Sequence, residues 1–282
     1  MTSAPGSAGP KKQNVVHRPP SLYLRTRNRA VALAEESWSN LTVWGAMPEH
    51  RFVILAQGRT GSTLLTSLLD SHPQIRCNDE LLQRPRLAPL RYVDQVARKA
   101  TLPWHGWHLK SEQLQWRQGG RPVGPFLDEL EARGSKIIYL WRENVLEQCV
   151  SMFFAVASGA WHYRKGKQKK RVTELKIDPE ELGKLMDQRN AVLESDRKLL
   201  SGREYCEINY ERDLRTEEAR GAALSRVQEF LGVQYHPLVS ELRKSVNRPM
   251  HELLQNYDEI AEAFEGTPHA HWVPKLDMIA AK

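Results

Sequence analysis

The chain has 282 residues, 40% of them hydrophobic and 8% aromatic, a composition that supports one large or two small packed domains and argues against a disordered or fibrous chain. Lys and Arg number 41 against 34 Asp and Glu, and the surplus of +7 favours an anionic partner: nucleic acid, an acidic membrane face or a phosphorylated small molecule. Three scattered cysteines, Cys77, Cys149 and Cys206, with no CxxC pair and no histidines at ligand spacing, argue against both a disulfide framework and a zinc site, and no metal is expected.

Residues 1–20 carry Pro5, Pro10, Pro19 and Pro20 among Gly, Ser and Lys, too little apolar surface to offset ordering entropy, and read as a flexible tail. Residues 21–49 read as an N-terminal arm, loosely helical from Ser21 to Trp38, that packs on the body or on a partner; a homo-oligomer built through it is one reading. With no apolar leader and no run of membrane-spanning length, a cytoplasmic, soluble protein is the expectation.

Phe52-Val53-Ile54-Leu55-Ala56 has the length and residue types of a buried strand. Leu64, Leu65, Leu68 and Leu69 then form the stripe of a buried helix face, stopped at His72-Pro73. Further on, the pattern predicts a strand at Trp107-His108-Leu109-Lys110, a helix from Phe126 to Arg133, a strand from Lys136 to Trp141 and a helix from Asn144 to Ser158. A long helix from Pro179 to Leu200, a strand from Tyr205 to Asn209 and a helix from Thr216 to Leu231 complete the series. This alternation predicts an α/β fold with a parallel sheet covered on both faces.

Between the first strand and helix lies Gly58-Arg59-Thr60-Gly61-Ser62-Thr63. Glycines permit a sharp turn, successive amides converge on an anion, and the helix adds its positive end. The nucleoside-triphosphate loop GxxxxGK[ST] needs four residues between its glycines and a Lys before the hydroxyl, and this segment has neither. What remains is a shorter cradle, with the cation of Arg59 and the hydroxyls of Thr60, Ser62 and Thr63, suited to a sulfonate or phosphate without magnesium. An ordinary strand-to-helix turn is the plain alternative. Arg142, at the carboxyl end of a central strand, stands where open α/β sheets bind ligands. Its alternative is a helix-start arginine paired with Glu143 or Glu147.

Arg59 through Leu65 with His72-Pro73, followed by Ile137-Ile138-Tyr139-Leu140-Trp141-Arg142 through Ser151, resembles the two donor-binding motifs of sulfotransferases that use 3′-phosphoadenosine 5′-phosphosulfate (PAPS). The nine-residue step from Arg142 to Ser151 is similar to that of the bacterial carbohydrate branch, the trehalose and nodulation-factor type. The resemblance implies a P-loop-like three-layer fold over residues 50–282. It also implies PAPS as donor, with Arg59, Thr60, Gly61, Ser62 and Thr63 at the 5′-phosphosulfate and Arg142 and Ser151 at the 3′-phosphate. Lys244 and Arg248 lie where the family places a basic loop near the nucleotide.

Sulfuryl transfer to a hydroxyl is an in-line displacement that needs positioned cations and one base. Base candidates are Glu80, His72, His105 and His108; the resemblance favours Glu80 in Asn78-Asp79-Glu80, with Asp79 its neighbour and His72 structural. Lys110 ends the strand that resembles the family's G-F-K segment and stands near the transferred group or the acceptor. Trp107, His108 and Trp161 are candidate acceptor-site residues, the tryptophans as sugar platforms, with core packing the alternative. Tyr210-Glu211-Arg212-Asp213-Leu214 resembles the family's Y-E-D-L segment with Arg212 inserted and reads as packing.

The run Arg164, Lys165, Lys167, Lys169, Lys170 and Arg171 reads as a lid, a contact for acidic lipid head groups at a peripheral membrane, or a solvated loop. No nucleic-acid motif accompanies it, so nucleic acid is not an expected partner. The expected function is sulfuryl transfer to a carbohydrate or glycolipid hydroxyl. The alternatives are a metal-dependent kinase-like phosphotransferase and a non-enzymatic basic module that binds anionic polymer or membrane.

Overall fold

Five parallel strands form one sheet in the order β2-β3-β1-β4-β5: β1 His50–Ala56, β2 Ile75–Glu80, β3 Trp104–Leu109, β4 Ser135–Trp141 and β5 Tyr205–Asn209. A computed structural model describes residues 30, 31, 34, 45–159, 172–242 and 248–273. The tail 1–20, most of the arm 21–49, Trp161, the basic run 164–171 and Lys244 lie outside the described residues.

The central strands are apolar along their length because both faces are covered. Alternate residues of β1 and β4 feed two cores. Phe52, Ile54, Ile138 and Leu140 pack with Leu65, Leu68 and Leu69 of α1 (Ser62–Asp70) and with α7 (Glu217–Leu231). On the opposite face Val53, Leu55, Ile137 and Tyr139 pack with α2 (Pro89–Arg98), α4 (Val123–Ala132) and Leu200. Three layers result, as the sequence predicts. Burying each such side chain contributes roughly 1.5–3 kcal/mol.

A third apolar cluster joins α5 (Val145–Ser158) and the first half of α6 (Pro179–Leu200) to α8 (Met250–Leu253) and α9 (Tyr257–Ala263). The short α3 (Ser111–Trp116) directly follows β3. Among the described residues, no helix is long and apolar enough to cross a membrane.

β1 hands the chain toward the β2 edge, whereas β4 hands it toward β5, so a crevice opens over the carboxyl ends of β1 and β4. Three departures from the expected elements bear on it. β3 starts at Trp104 rather than Trp107 and stops at Leu109, leaving Lys110 at its exit. β2 is an edge strand with the mixed sequence IRCNDE, and a register shift against β3 between Asn78 and Glu80 re-aims its last residue. The inserted Arg212 sits in a five-residue π-helical turn, Tyr210–Leu214, directly after β5.

Candidate functional site

The loop between β1 and α1 is held open from outside. Gln57 O accepts from Thr60 Oγ1 at 2.8 Å, Gly58 O from Gln148 Nε2 at 2.8 Å, and Arg59 O from Arg142 Nη1 at 3.3 Å. Three successive carbonyls of the loop are thus engaged by side chains, which fixes its course. The N-cap of α1, Gly61, supplies no capping side chain, and its first turn carries no acid. By contrast α5, α6 and α7 are capped by Asn144, Asp178 and Thr216. The positive end of α1 is therefore uncompensated from within, as an anion site requires.

Two backbone positions shape the turn. Gly61 has φ +92°, and a Cβ there would lie 2.6 Å from the Tyr210 ring, so no other residue fits unchanged. Arg59 is the one non-glycine with positive φ, 68°, among the described residues. That conformation costs about 1–3 kcal/mol and aims its side chain at α5, where Nε donates to Ser151 Oγ at 3.0 Å.

Arg142 leaves β4 beside this loop and is 7% exposed. Its guanidinium pairs with Glu147 Oε2 of α5 and, through Nε, with Glu211 Oε1 at 3.0 Å; it also lies 4.7 Å from the Tyr210 ring centroid. Of the sequence alternatives the contacts show the ion-paired one, with Glu147 rather than Glu143, while Nη1 reaches the loop carbonyl of Arg59. The reading of Tyr210-Glu211-Arg212-Asp213-Leu214 as packing is corrected. The π turn brings Glu211 onto Arg142 and onto Glu143 N at 2.9 Å, and it seats Tyr210 against Gly61.

On the other side of Gly58 stands an acid–base pair. Lys110 Nζ is 2.6 Å from Glu80 Oε1 and 3.5 Å from where a Gly58 Cβ would lie. Gln113 Nε2 donates to Glu80 Oε2 at 2.5 Å. Burial on its own would raise the Glu80 carboxyl. The Lys110 ammonium and the two hydrogen bonds outweigh it and hold the group below the ordinary carboxylate range.

The histidine candidates stand elsewhere or are neutral. His72 Nε2 donates to Gln234 O at 2.9 Å, past the end of α1. His105 is the second residue of β3, at the far end of the sheet, bonded to Asn78 Oδ1 at 2.9 Å and pushed down to about 4 by burial. His108 is 1% exposed and likewise pushed to about 4 by burial; its Nε2 donates to Ala56 O at 3.2 Å. Trp107 packs in the core with Leu82, Leu90 and Val93, so neither it nor His108 presents an open face to an acceptor. Arg248 is exposed and donates to Thr173 O.

Residues 51–117, which contain the loop, Glu80 and Lys110, match the model of the sulfotransferase family. The chain is 28% identical over 253 residues to nodulation protein H of Rhizobium tropici, covering 82% of this chain and 95% of that one. It is also 28% identical over 254 residues to nodulation protein H of Rhizobium meliloti strain 1021, covering 80% and 96%. The chain is thus similar to sulfotransferases through the segment that holds the loop, Glu80 and Lys110. Among solved structures, the chain aligns with mouse sulfotransferase SULT7A1 complexed with PAP at 14% identity and TM-score 0.43, over 86% of this chain and 94% of that one.

Sequence reasoning missed four residues of the candidate site: Gln148, Glu211, Tyr210 and Gln113. Gln148 carried a signal in retrospect. A buried amide three residues before Ser151 on one helix face needs partners, and a loop carbonyl supplies one.

Proposed function

We propose that this protein is a sulfotransferase that moves the sulfuryl group from PAPS to a hydroxyl of a carbohydrate or glycolipid. The observation that carries the reading is the loop 57–61, its carbonyls tied back by Thr60, Gln148 and Arg142 ahead of an uncapped helix start, with Lys110 and Glu80 beside Gly58. The branch that the motifs resemble supplies the carbohydrate class, and the relatives named nodulation protein H accord with it.

PAPS brings an activated S–O bond to the 5′-phosphate, and these residues fit it without a metal. The loop amides, the end of α1 and Arg59 hold the 5′-phosphosulfate; Arg142 and Ser151 serve the 3′-phosphate. Glu80, ionised at neutral pH, takes the proton of the acceptor hydroxyl as its oxygen forms the new bond to sulfur and the sulfur–oxygen bond to phosphate breaks. Lys110 and the loop amides stabilise the negative charge that grows on the phosphate oxygen. The strong Lys110–Glu80 contact keeps the base deprotonated before the acceptor arrives, and the acceptor hydroxyl takes a share of that carboxylate.

The test is transfer of labelled sulfate from PAPS to a panel of carbohydrate hydroxyls. Arg59→Ala is expected to abolish transfer with the fold intact. Glu80→Gln is expected to lower turnover by about 10²–10⁴-fold with donor affinity little changed. Undiminished turnover in the Gln variant removes Glu80 from the mechanism. Phosphoryl transfer from magnesium-ATP, with none of sulfate from PAPS, overturns the whole reading.

A further inference from the structure

Phosphate-binding arginines are ordinarily surrounded by donors and cations, because a dianion must be attracted more than it is repelled. Arg142 is surrounded by carboxylates. Glu147 reaches it from the first turn of α5, and Glu211 reaches it at 3.0 Å from the π turn. The second oxygen of Glu147 lies 3.4 Å from Arg215 Nη2, and the second oxygen of Glu211 accepts from Glu143 N. Arg142 and Arg215 against Glu147 and Glu211 sum to no net charge. Both acids are held in place by further contacts, so neither swings away freely when an anion approaches.

We propose that Glu147 and Glu211 are specificity-determining residues that act as a carboxylate brake on the 3′-phosphate of the nucleotide. The proposal rests on the assignment of Arg142 to that phosphate. They fix the guanidinium with Nη1 on the loop, and they repel the incoming phosphate, so that its binding energy is held well below what an unpaired Arg142 would give. The spent nucleotide carries the same 3′-phosphate as the donor, so the brake also favours its release after transfer. Specificity then comes from the geometry of Nη1 and Ser151 rather than from net positive charge.

The experiment measures dissociation constants of adenosine 3′,5′-bisphosphate and adenosine 5′-monophosphate by calorimetry, on the full chain and on Glu147→Gln and Glu211→Gln. The isosteric amides keep a hydrogen-bond acceptor for Arg142 and remove the charge. The bisphosphate is expected to bind about tenfold tighter to Glu147→Gln and tighter, too, to Glu211→Gln, with the monophosphate changed by less than about twofold. The thermal midpoint of each variant separates a loosened π turn from a true electrostatic effect. Weaker bisphosphate binding in a folded Glu147→Gln overturns the brake and makes the acids orienting groups; a parallel change for both nucleotides does the same. Equal affinity of the unaltered chain for the two nucleotides overturns the assignment of Arg142 on which the proposal stands.

Discussion

Asp196 of α6 is 1% exposed, with the Ser111 hydroxyl beside its carboxylate. The Tyr139 hydroxyl and Glu112 Oε2 have no hydrogen-bond partner among the described residues. Burial pushes the Asp196 carboxyl from 3.8 up to about 7, against the lowering effect of the Ser111 hydroxyl and with nearby Glu112 adding to the rise. Below pH 3.8 the proton is bound whether the chain is folded or not, and the stability of the protonated state is fully present. Between 3.8 and about 7 only the folded chain retains it, so stability is lost as pH rises and levels off above 7. At about 1.4 kcal/mol per pH unit, that interval amounts to a loss of about 4 kcal/mol. Asp196→Asn keeps the shape and removes the ionisation. Its stability relative to the unaltered chain is expected to be about 4 kcal/mol better at pH 8 than at pH 4, a thermal midpoint difference of about 10 °C. Comparing the two pH values cancels the cost of burying the amide itself. Denaturant midpoints at pH 4, 6 and 8 for both proteins measure it. Parallel stability–pH curves would show that the buried carboxyl has an ordinary titration, and the reasoning would fail.

Two further outcomes follow from the site. Lys110→Met removes the ammonium that holds Glu80 down; the acid limb of the pH profile of kcat/KM is expected to move to higher pH while turnover falls about 10- to 100-fold, and an unmoved limb would detach Lys110 from the base. Gly61→Ala places a methyl 2.6 Å from the Tyr210 ring at φ +92°; a stability loss of about 1–3 kcal/mol and weakened bisphosphate binding are expected, read from denaturant midpoints and titration.

The parts of the fold built from apolar runs were legible from sequence: β1, β4, β5 and the helices from Asn144, Pro179 and Thr216 emerge where the patterns place them. β2 was not, because an edge strand whose outer positions are Arg76, Asn78 and Glu80 carries no hydrophobic period. In the site, Arg59, Gly61 and Arg142 stood out because their spacing is local to one loop or one strand end. Glu211 lies 69 residues from its partner Arg142, and only the placement of β5 beside β4 brings them together. Trp107 and His108 looked like acceptor residues because they adjoin Lys110. Strand alternation instead turns Trp107 into the core, and a backbone carbonyl claims the ring of His108.

The loop and α5 share one mechanical fate. Three neighbouring positions on that helix reach the site: Glu147 holds Arg142, Gln148 holds Gly58 O, and Ser151 receives Arg59. An excursion of residues 58–61 therefore has to break contacts anchored on the first two turns of a helix whose Leu146, Cys149 and Val150 are wholly buried. A glycine-bearing surface turn of this length would ordinarily exchange its amide hydrogens quickly, at its own fraying rate. Here the shape of the turn is tied to the packing of α5, so its amides are expected to exchange slowly and little loop folding has to accompany capture of an anion.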